Sequence, residues 1–134
     1  MNIKEILDNF SLFDDWEDRY RYLIDLGGRL PPMAEALKTE QSKVRGCMSQ
    51  VWMVLGWDNS NRLTFIADSD AQIVKGLIAI LNAIFESKTA KEIESVDIED
   101  IFGKLGLDQH LSPNRRNGFF AMVERIRSFT ADCR

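Results

Sequence analysis

The chain has 134 residues, and 17 Lys and Arg against 21 Asp and Glu give it a formal net charge of -4 at pH 7. This acidic balance argues against a nucleic-acid partner, because binding nucleic acid needs a basic face that displaces counterions from phosphates. The length predicts a single domain over residues 1–134. The longest apolar stretch, residues 77–85, is far shorter than the roughly 18 residues of a membrane span. No signal-peptide pattern opens the chain, so we expect a cytoplasmic protein that does not cross a membrane.

The first third of the chain predicts two amphipathic helices and a connector. Apolar residues recur at helical spacing over residues 3–10 and again over 16–24. Asp14 marks the start of the second helix, and Gly27–Gly28 marks its end. Pro31–Pro32 then excludes continued helix. A connector with one short helical turn is expected from there to the first strand.

The middle of the chain predicts a small antiparallel sheet. Residues 50–57 and 62–68 are rich in Val, Trp, Leu, Phe and Ile, and the polar turn 58–61 separates them. A short strand at Lys43–Arg45 is expected to pair beside them. The sheet is therefore predicted to have three strands.

Helices dominate the rest of the chain. Ser69 with Gln72 matches a capping box in front of a helix that is apolar almost all round, so this helix is predicted to be central and buried. Shorter helices are expected after Thr89 and from Ile98, and a long C-terminal helix after Ser112–Pro113. Because strands and helices segregate along the chain, the predicted class is α+β, with several helices packed on the sheet.

Cys47 is the first candidate for chemistry. It lies in Arg45-Gly46-Cys47-Met48-Ser49-Gln50, between the connector and the first long strand, where Gly46 favours a loop. Lys43 and Arg45 would favour the thiolate, which is the reactive form of cysteine. A cysteine among apolar neighbours is more often a small buried hydrophobe. From the residues alone both interpretations stay open.

His110, the only histidine, offers an alternative chemistry. With Cys47 and Asn114 it could compose a thiol-hydrolase triad, although a lone histidine before a helix more often has a structural role. Cys133 is expected to lie in a frayed tail without a dedicated role. These scattered groups do not match a zinc site or an iron–sulfur ligand set. We therefore expect no bound metal and no cofactor.

Five motifs, in the same order along the chain, resemble the SufE family and together cover nearly the whole chain. They are Trp16–Tyr20, Leu26–Pro31, Val44–Trp52, Ala67–Leu77 and Gln109–Arg115. One such motif would mean little, whereas five in register are highly specific. The resemblance implies a SufE/IscU-like α+β fold.

The resemblance also implies a function in iron–sulfur cluster assembly. A cysteine desulfurase, which is a pyridoxal-phosphate enzyme, takes sulfur from free cysteine and holds it as a persulfide. A SufE-like protein accepts that sulfur on the residue matching Cys47, stimulates the desulfurase and passes the sulfur to a cluster-assembly scaffold. Residues expected to support the Cys47 loop or to meet the partner are Arg45, Gly46, Ser49, Asp70 and Arg115.

Two residues depart from the family's usual pattern. Met48 stands where glutamine commonly follows the cysteine, and Asn114 stands where serine commonly precedes the arginine. Neither change removes the nucleophile. Two alternatives from other classes remain open: an iron–sulfur scaffold-type binding module, and a thiol hydrolase using Cys47 and His110.

Overall fold

The structure is a computed structural model that describes residues 2–46 and 49–132, the last without its side chain. The predicted nucleophile Cys47, its neighbour Met48 and the second thiol Cys133 lie outside the described residues. The elements are α1 (Ile3–Ser11), α2 (Trp16–Gly28), a 3₁₀ turn (Glu35–Leu37), β1 (Val51–Trp57), β2 (Leu63–Ser69), α3 (Gln72–Phe85), α4 (Ala90–Glu94), α5 (Ile98–Lys104), α6 (Leu107–His110) and α7 (Pro113–Asp132).

The sheet has two strands within the described residues, so the prediction of three was wrong. β1 and β2 pair antiparallel along their full length. The segment expected as the third strand, Lys43–Arg45, makes only one bridge, between Lys43 and Trp52. Gly46 then takes a φ of +90°, a conformation that an extended strand does not contain, so no strand continues through this residue. The α+β class is confirmed, since helices pack on a small antiparallel sheet.

α3 is the buried centre of the molecule, as its sequence predicts. Apolar residues around its circumference are buried, including Ile73, Leu77, Ile80, Leu81, Ile84 and Phe85. α2 covers one side of this helix and β2 another. A helix that is apolar all round must be covered on several sides. The other helices and the sheet are therefore arranged about α3.

Helix boundaries follow the predicted signals within one or two residues. Thr89 and Glu92 form the expected capping box in front of α4. α2 is capped by Asp15, whose carboxylate accepts from the backbone of Asp18, one residue after the predicted Asp14. α7 begins at Pro113 as expected. The four-residue α6 was missed because so short a helix shows no apolar period.

α2 and α3 cross where two glycines meet. A Cβ added to Gly27 would lie 2.7 Å from the backbone nitrogen of Gly76. A Cβ on Gly76 would lie 2.7 Å from the carbonyl carbon of Leu23. Both distances are shorter than real Cβ contacts, so the two helix backbones approach more closely than any side chain allows.

A charged cluster ties the connector to the sheet. The ammonium group of Lys38 lies 3.2 Å from Asp68 Oδ2 and 3.1 Å from Glu35 Oε1. The same group sits 5.2 Å from the ring centroid of Trp52, which is the residue opposite Asp68 in the sheet. Lys75 of α3 approaches the other oxygen of Asp68 at 3.5 Å. Asp68 thus links the connector, the sheet and the central helix.

We expect Asp68→Asn to lower the free energy of unfolding by about 1 kcal/mol at neutral pH. Partial burial acts to raise the pKa of Asp68, but the Ser69 N–H and the ammonium groups of Lys38 and Lys75 outweigh it and hold this pKa below its ordinary value. The stabilisation is present above the unfolded-state pKa of about 3.9 and is lost as pH falls through the lower folded-state pKa. Urea denaturation from neutral to acid pH measures the difference between the two proteins.

Asp25→Asn is the matched control for this prediction. Asp25 pairs with Arg29 on the surface of α2, and both side chains are 57% exposed. Such a pair contributes little, so this variant should match the wild type across the titration. A deficit in Asp68→Asn that persists undiminished in acid would contradict the electrostatic explanation.

Candidate functional site

The site is built around residues 44–50, which we call the Cys47 segment. Its upstream end is joined to the sheet, since the Val44 N–H donates to the carbonyl of Val51 over 2.8 Å. Gly46, with its positive φ, faces α7, and a Cβ placed on it would lie 3.4 Å from Cβ of Ala121. The glycine therefore takes a turn conformation where the segment lies against α7.

The downstream end of the Cys47 segment is held by the residues that follow β2. The Gln50 N–H donates to Asp70 Oδ1 over 3.0 Å, and the Asp70 N–H donates to the Gln50 carbonyl over 3.2 Å. The Ser69 hydroxyl donates to the same carbonyl over 2.7 Å. The predicted capping box at Ser69 was wrong: the N-cap of α3 is Ala71, without a side-chain cap. Ser69 and Asp70 instead fix the peptide groups of Gln50.

A cavity of about 370 Å³ opens beside Ser49, between α3 and α7. Its apolar lining consists of buried side chains: Val74, Leu77, Phe119 and Met122. Its polar lining consists of Ser49, Ser112, Asn114 and Arg115. A pocket that combines an apolar wall with convergent polar groups is a usual form of binding site.

Of the six predicted site residues, Gly46 faces α7 and Cys47 lies outside the described residues, and the other four divide into three groups. Ser49 and Arg115 come together at the cavity, and Asp70 holds Gln50, at the downstream end of the segment next to Ser49. Arg45 lies apart from the cavity lining, and within the described residues it makes one long surface pair with Glu40, at 3.8 Å. A pair so exposed contributes little to stability.

Arg115 lies in the first turn of α7. Its backbone N–H donates to the Ser112 hydroxyl over 3.3 Å, so the start of the helix orients the residue. Within residues 2–46 and 49–132, its guanidinium makes no ion pair or hydrogen bond. A guanidinium with its donors free is suited to bind a carboxylate from another molecule.

His110 is engaged elsewhere. Its exposed ring stacks on Trp16 of α2, with ring centroids 4.4 Å apart and an angle of 9° between the planes. Asn114 lines the cavity and His110 does not. The two proposed partners of Cys47 in a hydrolase triad therefore do not lie in the same cavity. The distance between Cys47 and His110 involves an atom outside the described residues, and the dyad stays a hypothesis.

Two further properties concern the described part of the chain. No three histidine, aspartate or glutamate side chains gather there as metal ligands would. None of the helices there is long and apolar enough to cross a membrane.

Taken together, fold and site define an α+β domain in which a cysteine-bearing segment is anchored at a sheet edge beside a cavity with one apolar and one polar side. Residues 4–130 match the SufE family model, which is described as an Fe-S metabolism associated domain. The chain belongs to the SufE family, as its motifs predict.

Relatives with known sequences agree over nearly the whole chain. An uncharacterized SufE-like protein of Rhizobium meliloti (strain 1021) is 51% identical, over 95% of this chain and 93% of its own. Another from Rhizobium etli is 48% identical, over 94% of this chain and 87% of its own.

The fold is found in a solved structure as well. The solution structure of a hypothetical protein from Thermus thermophilus superimposes with a TM-score of 0.78 at 18% identity, covering 97% of this chain and 93% of that one. At this level of identity the likeness concerns the fold alone.

Proposed function

We propose that this protein accepts sulfur on Cys47 from the persulfide of a cysteine desulfurase, stimulates that enzyme, and passes the sulfur to an iron–sulfur cluster assembly scaffold. Membership of a family associated with Fe–S metabolism supports the pathway. The observation that carries the proposal is the anchoring of the Cys47 segment beside a cavity that has an apolar side and a polar side with Arg115.

The chemistry needs only a thiolate in the acceptor. The Cys47 thiolate attacks the outer sulfur of the desulfurase persulfide, the sulfur–sulfur bond breaks, and the desulfurase cysteine leaves as a thiolate. Cys47 then carries the persulfide, and no oxidant or reductant is consumed. The harder step, breaking the carbon–sulfur bond of free cysteine, belongs to the pyridoxal phosphate of the desulfurase.

The cavity supports the proposal that the transferred sulfur is shielded from reductants. A persulfide is easily reduced by other thiols, so it needs an environment that water and reductants do not reach. Phe119 and Met122 are each only 1% exposed and line the cavity together with Ser49, two residues after Cys47. Apolar lining of this kind favours a sulfur atom over water.

Asp70 and Arg115 have different parts in this proposal. Asp70 holds the downstream end of the segment through the Gln50 N–H. The guanidinium of Arg115, which makes no ion pair or hydrogen bond with the described residues, is suited to meet a carboxylate on the desulfurase. A charge of this kind changes how readily two proteins associate more than it changes the chemistry of a thiol.

Arg115→Glu is expected to raise the concentration of this protein needed for half-maximal desulfurase stimulation by about tenfold or more, because a repulsive charge replaces an attractive one. Alkylation of Cys47 in the free protein should stay near the wild-type rate. Sulfide release titrated with each variant, beside iodoacetamide kinetics, measures both quantities.

Arg127→Glu makes the same charge change at an exposed position of α7 that does not line the cavity. Its half-maximal concentration should remain close to that of the wild type. An equal rise in the half-maximal concentration for both variants would show that the overall charge of the protein, rather than the position of Arg115, governs its association with the desulfurase.

The direct test of the proposed function is incubation with a desulfurase and free cysteine. The expected results are a mass gain of one sulfur atom on this protein and faster sulfide release by the desulfurase. If wild-type protein neither gains sulfur nor stimulates any plausible desulfurase from the same source, the sulfur-acceptor proposal fails.

A further inference from the structure

Arg125, in the middle of α7, reaches across to the chain just before the Cys47 segment. Its Nη1 donates to the carbonyl of Lys43 over 2.8 Å, and its Nη2 donates to the carbonyl of Gln41 over 2.6 Å. Hydrogen bonds from a charged donor are roughly twice as strong as neutral ones. No other arginine in the described residues has two hydrogen bonds to carbonyls of this part of the chain.

The opposite side of the same stretch is bonded to β1. The carbonyl of Ser42 accepts from the Met53 N–H over 2.8 Å, and the Val44 N–H donates to the Val51 carbonyl over 2.8 Å. The Ser42 carbonyl and the Val44 N–H thus face β1, whereas the carbonyls of Gln41 and Lys43 face Arg125. Residues 41–44 are therefore held between β1 on one side and the guanidinium of Arg125 on the other, where a further strand would otherwise pair.

The same part of α7 also contacts the rest of the site. Ala121, one helical turn before Arg125, faces Gly46, and Met122 lines the cavity with Ser49. Arg125 thus acts where α7 already borders both ends of the Cys47 segment.

We propose that Arg125 is a positioning residue for sulfur transfer. Its two hydrogen bonds fix residues 41–44. Cys47 follows Val44 by three residues, so these bonds also fix the position from which the chain leads to the thiol. The role in transfer rests on the proposed function, whereas the effect on the segment does not. The planar fork of arginine suits two carbonyls two residues apart, and a lysine ammonium cannot reproduce that geometry.

The test measures alkylation of Cys47 in the free protein, in a Cys133→Ser background so that one thiol reacts. A neutral reagent is used on the high-pH plateau, where all of the thiol is ionised and a change in its pKa has no effect. Arg125→Met should react about tenfold faster than the wild type, which corresponds to about 1.4 kcal/mol of lost restraint. Arg125→Lys, which keeps the charge, should fall between the two.

Arg62→Met is the matched control. Arg62 also bonds a distant carbonyl, that of Ser87 over 2.9 Å, and it pairs with Glu92 at 3.4 Å. Arg62 lies beside α4 rather than at the Cys47 segment. Cys47 in Arg62→Met should therefore be alkylated at the wild-type rate, even if the melting temperature of this variant falls as much as that of Arg125→Met. Thermal melts of all variants report the general loss of stability.

An unchanged alkylation rate in Arg125→Met and Arg125→Lys, or an equal acceleration in Arg62→Met, would overturn the assignment. A parallel desulfurase assay separates this result from the proposed function. There Arg125→Met should lower the maximal stimulated rate while the half-maximal concentration changes little. If wild-type protein does not stimulate the desulfurase, the proposed function fails, and the alkylation rates still decide whether Arg125 restrains the segment.

Discussion

Cys47→Ser should abolish sulfur acceptance completely while the protein still folds. A hydroxyl is nearly isosteric with a thiol, but at neutral pH it is not ionised and does not attack a persulfide sulfur, since the thiolate is the nucleophile. Intact-mass measurement after incubation with a desulfurase and free cysteine should show no added sulfur. The thermal melt should remain close to that of the wild type.

Cys133→Ser supplies the matched control, because it makes the same chemical change at the second thiol of the chain. This variant is expected to accept sulfur and stimulate the desulfurase as the wild type does. Peptide mapping of the loaded wild type identifies the modified residue directly. Sulfur found mainly on Cys133 would contradict the assignment of Cys47.

Gly76→Ala should lower the free energy of unfolding by about 3 kcal/mol or more, because the helix crossing leaves no room for a methyl group. The added Cβ would lie 2.7 Å from the carbonyl carbon of Leu23, which is backbone and cannot rotate away. α2 and α3 would have to separate. Since Val74 and Leu77 of α3 line the cavity, we expect a weaker sulfur acceptor as well as a less stable protein.

Gly28→Ala tests whether the effect comes from the crossing. Gly28 is a helical glycine next to Gly27, and nothing lies within 4 Å of a Cβ placed on it. Alanine has the higher helix propensity, so this variant should equal the wild type or gain up to about 1 kcal/mol. Urea denaturation compares the two variants. Similar stability of Gly76→Ala and Gly28→Ala would show that the crossing tolerates a side chain.

The site is organised by two helices that are far apart in sequence. α3 carries part of the cavity and begins just after Ser69 and Asp70, which hold Gln50. α7 carries Asn114, Arg115, Phe119 and Met122 of the cavity lining, and also Arg125. The Cys47 segment is therefore anchored from both sides, and the predictions for Arg115 and Arg125 address its partner contact and its position separately.

The sequence by itself determined the features that depend on neighbouring residues. The all-round apolar pattern of α3 identified the buried helix, since so many apolar side chains in one helix have no other stable arrangement. The polar turn between two β-rich runs predicted β1 and β2. Thr89 with Glu92 predicted a helix start because a capping box is a local arrangement. Five motifs in register identified the family, and the resemblance they carry identified Cys47 as the candidate nucleophile.

Only the tertiary structure decided the features that depend on residues distant along the chain. Lys43–Arg45 has the composition of a strand, but whether it pairs for one residue or several depends on the turn at Gly46 and on Arg125, which lies 82 residues after Lys43. Ser69 matches a capping pattern, yet its hydroxyl bonds to Gln50 because β1 brings that carbonyl within reach. Gly76 gave no local sign of a helix crossing. Such contacts are made by packing between elements, and packing leaves no periodic signal in either segment alone.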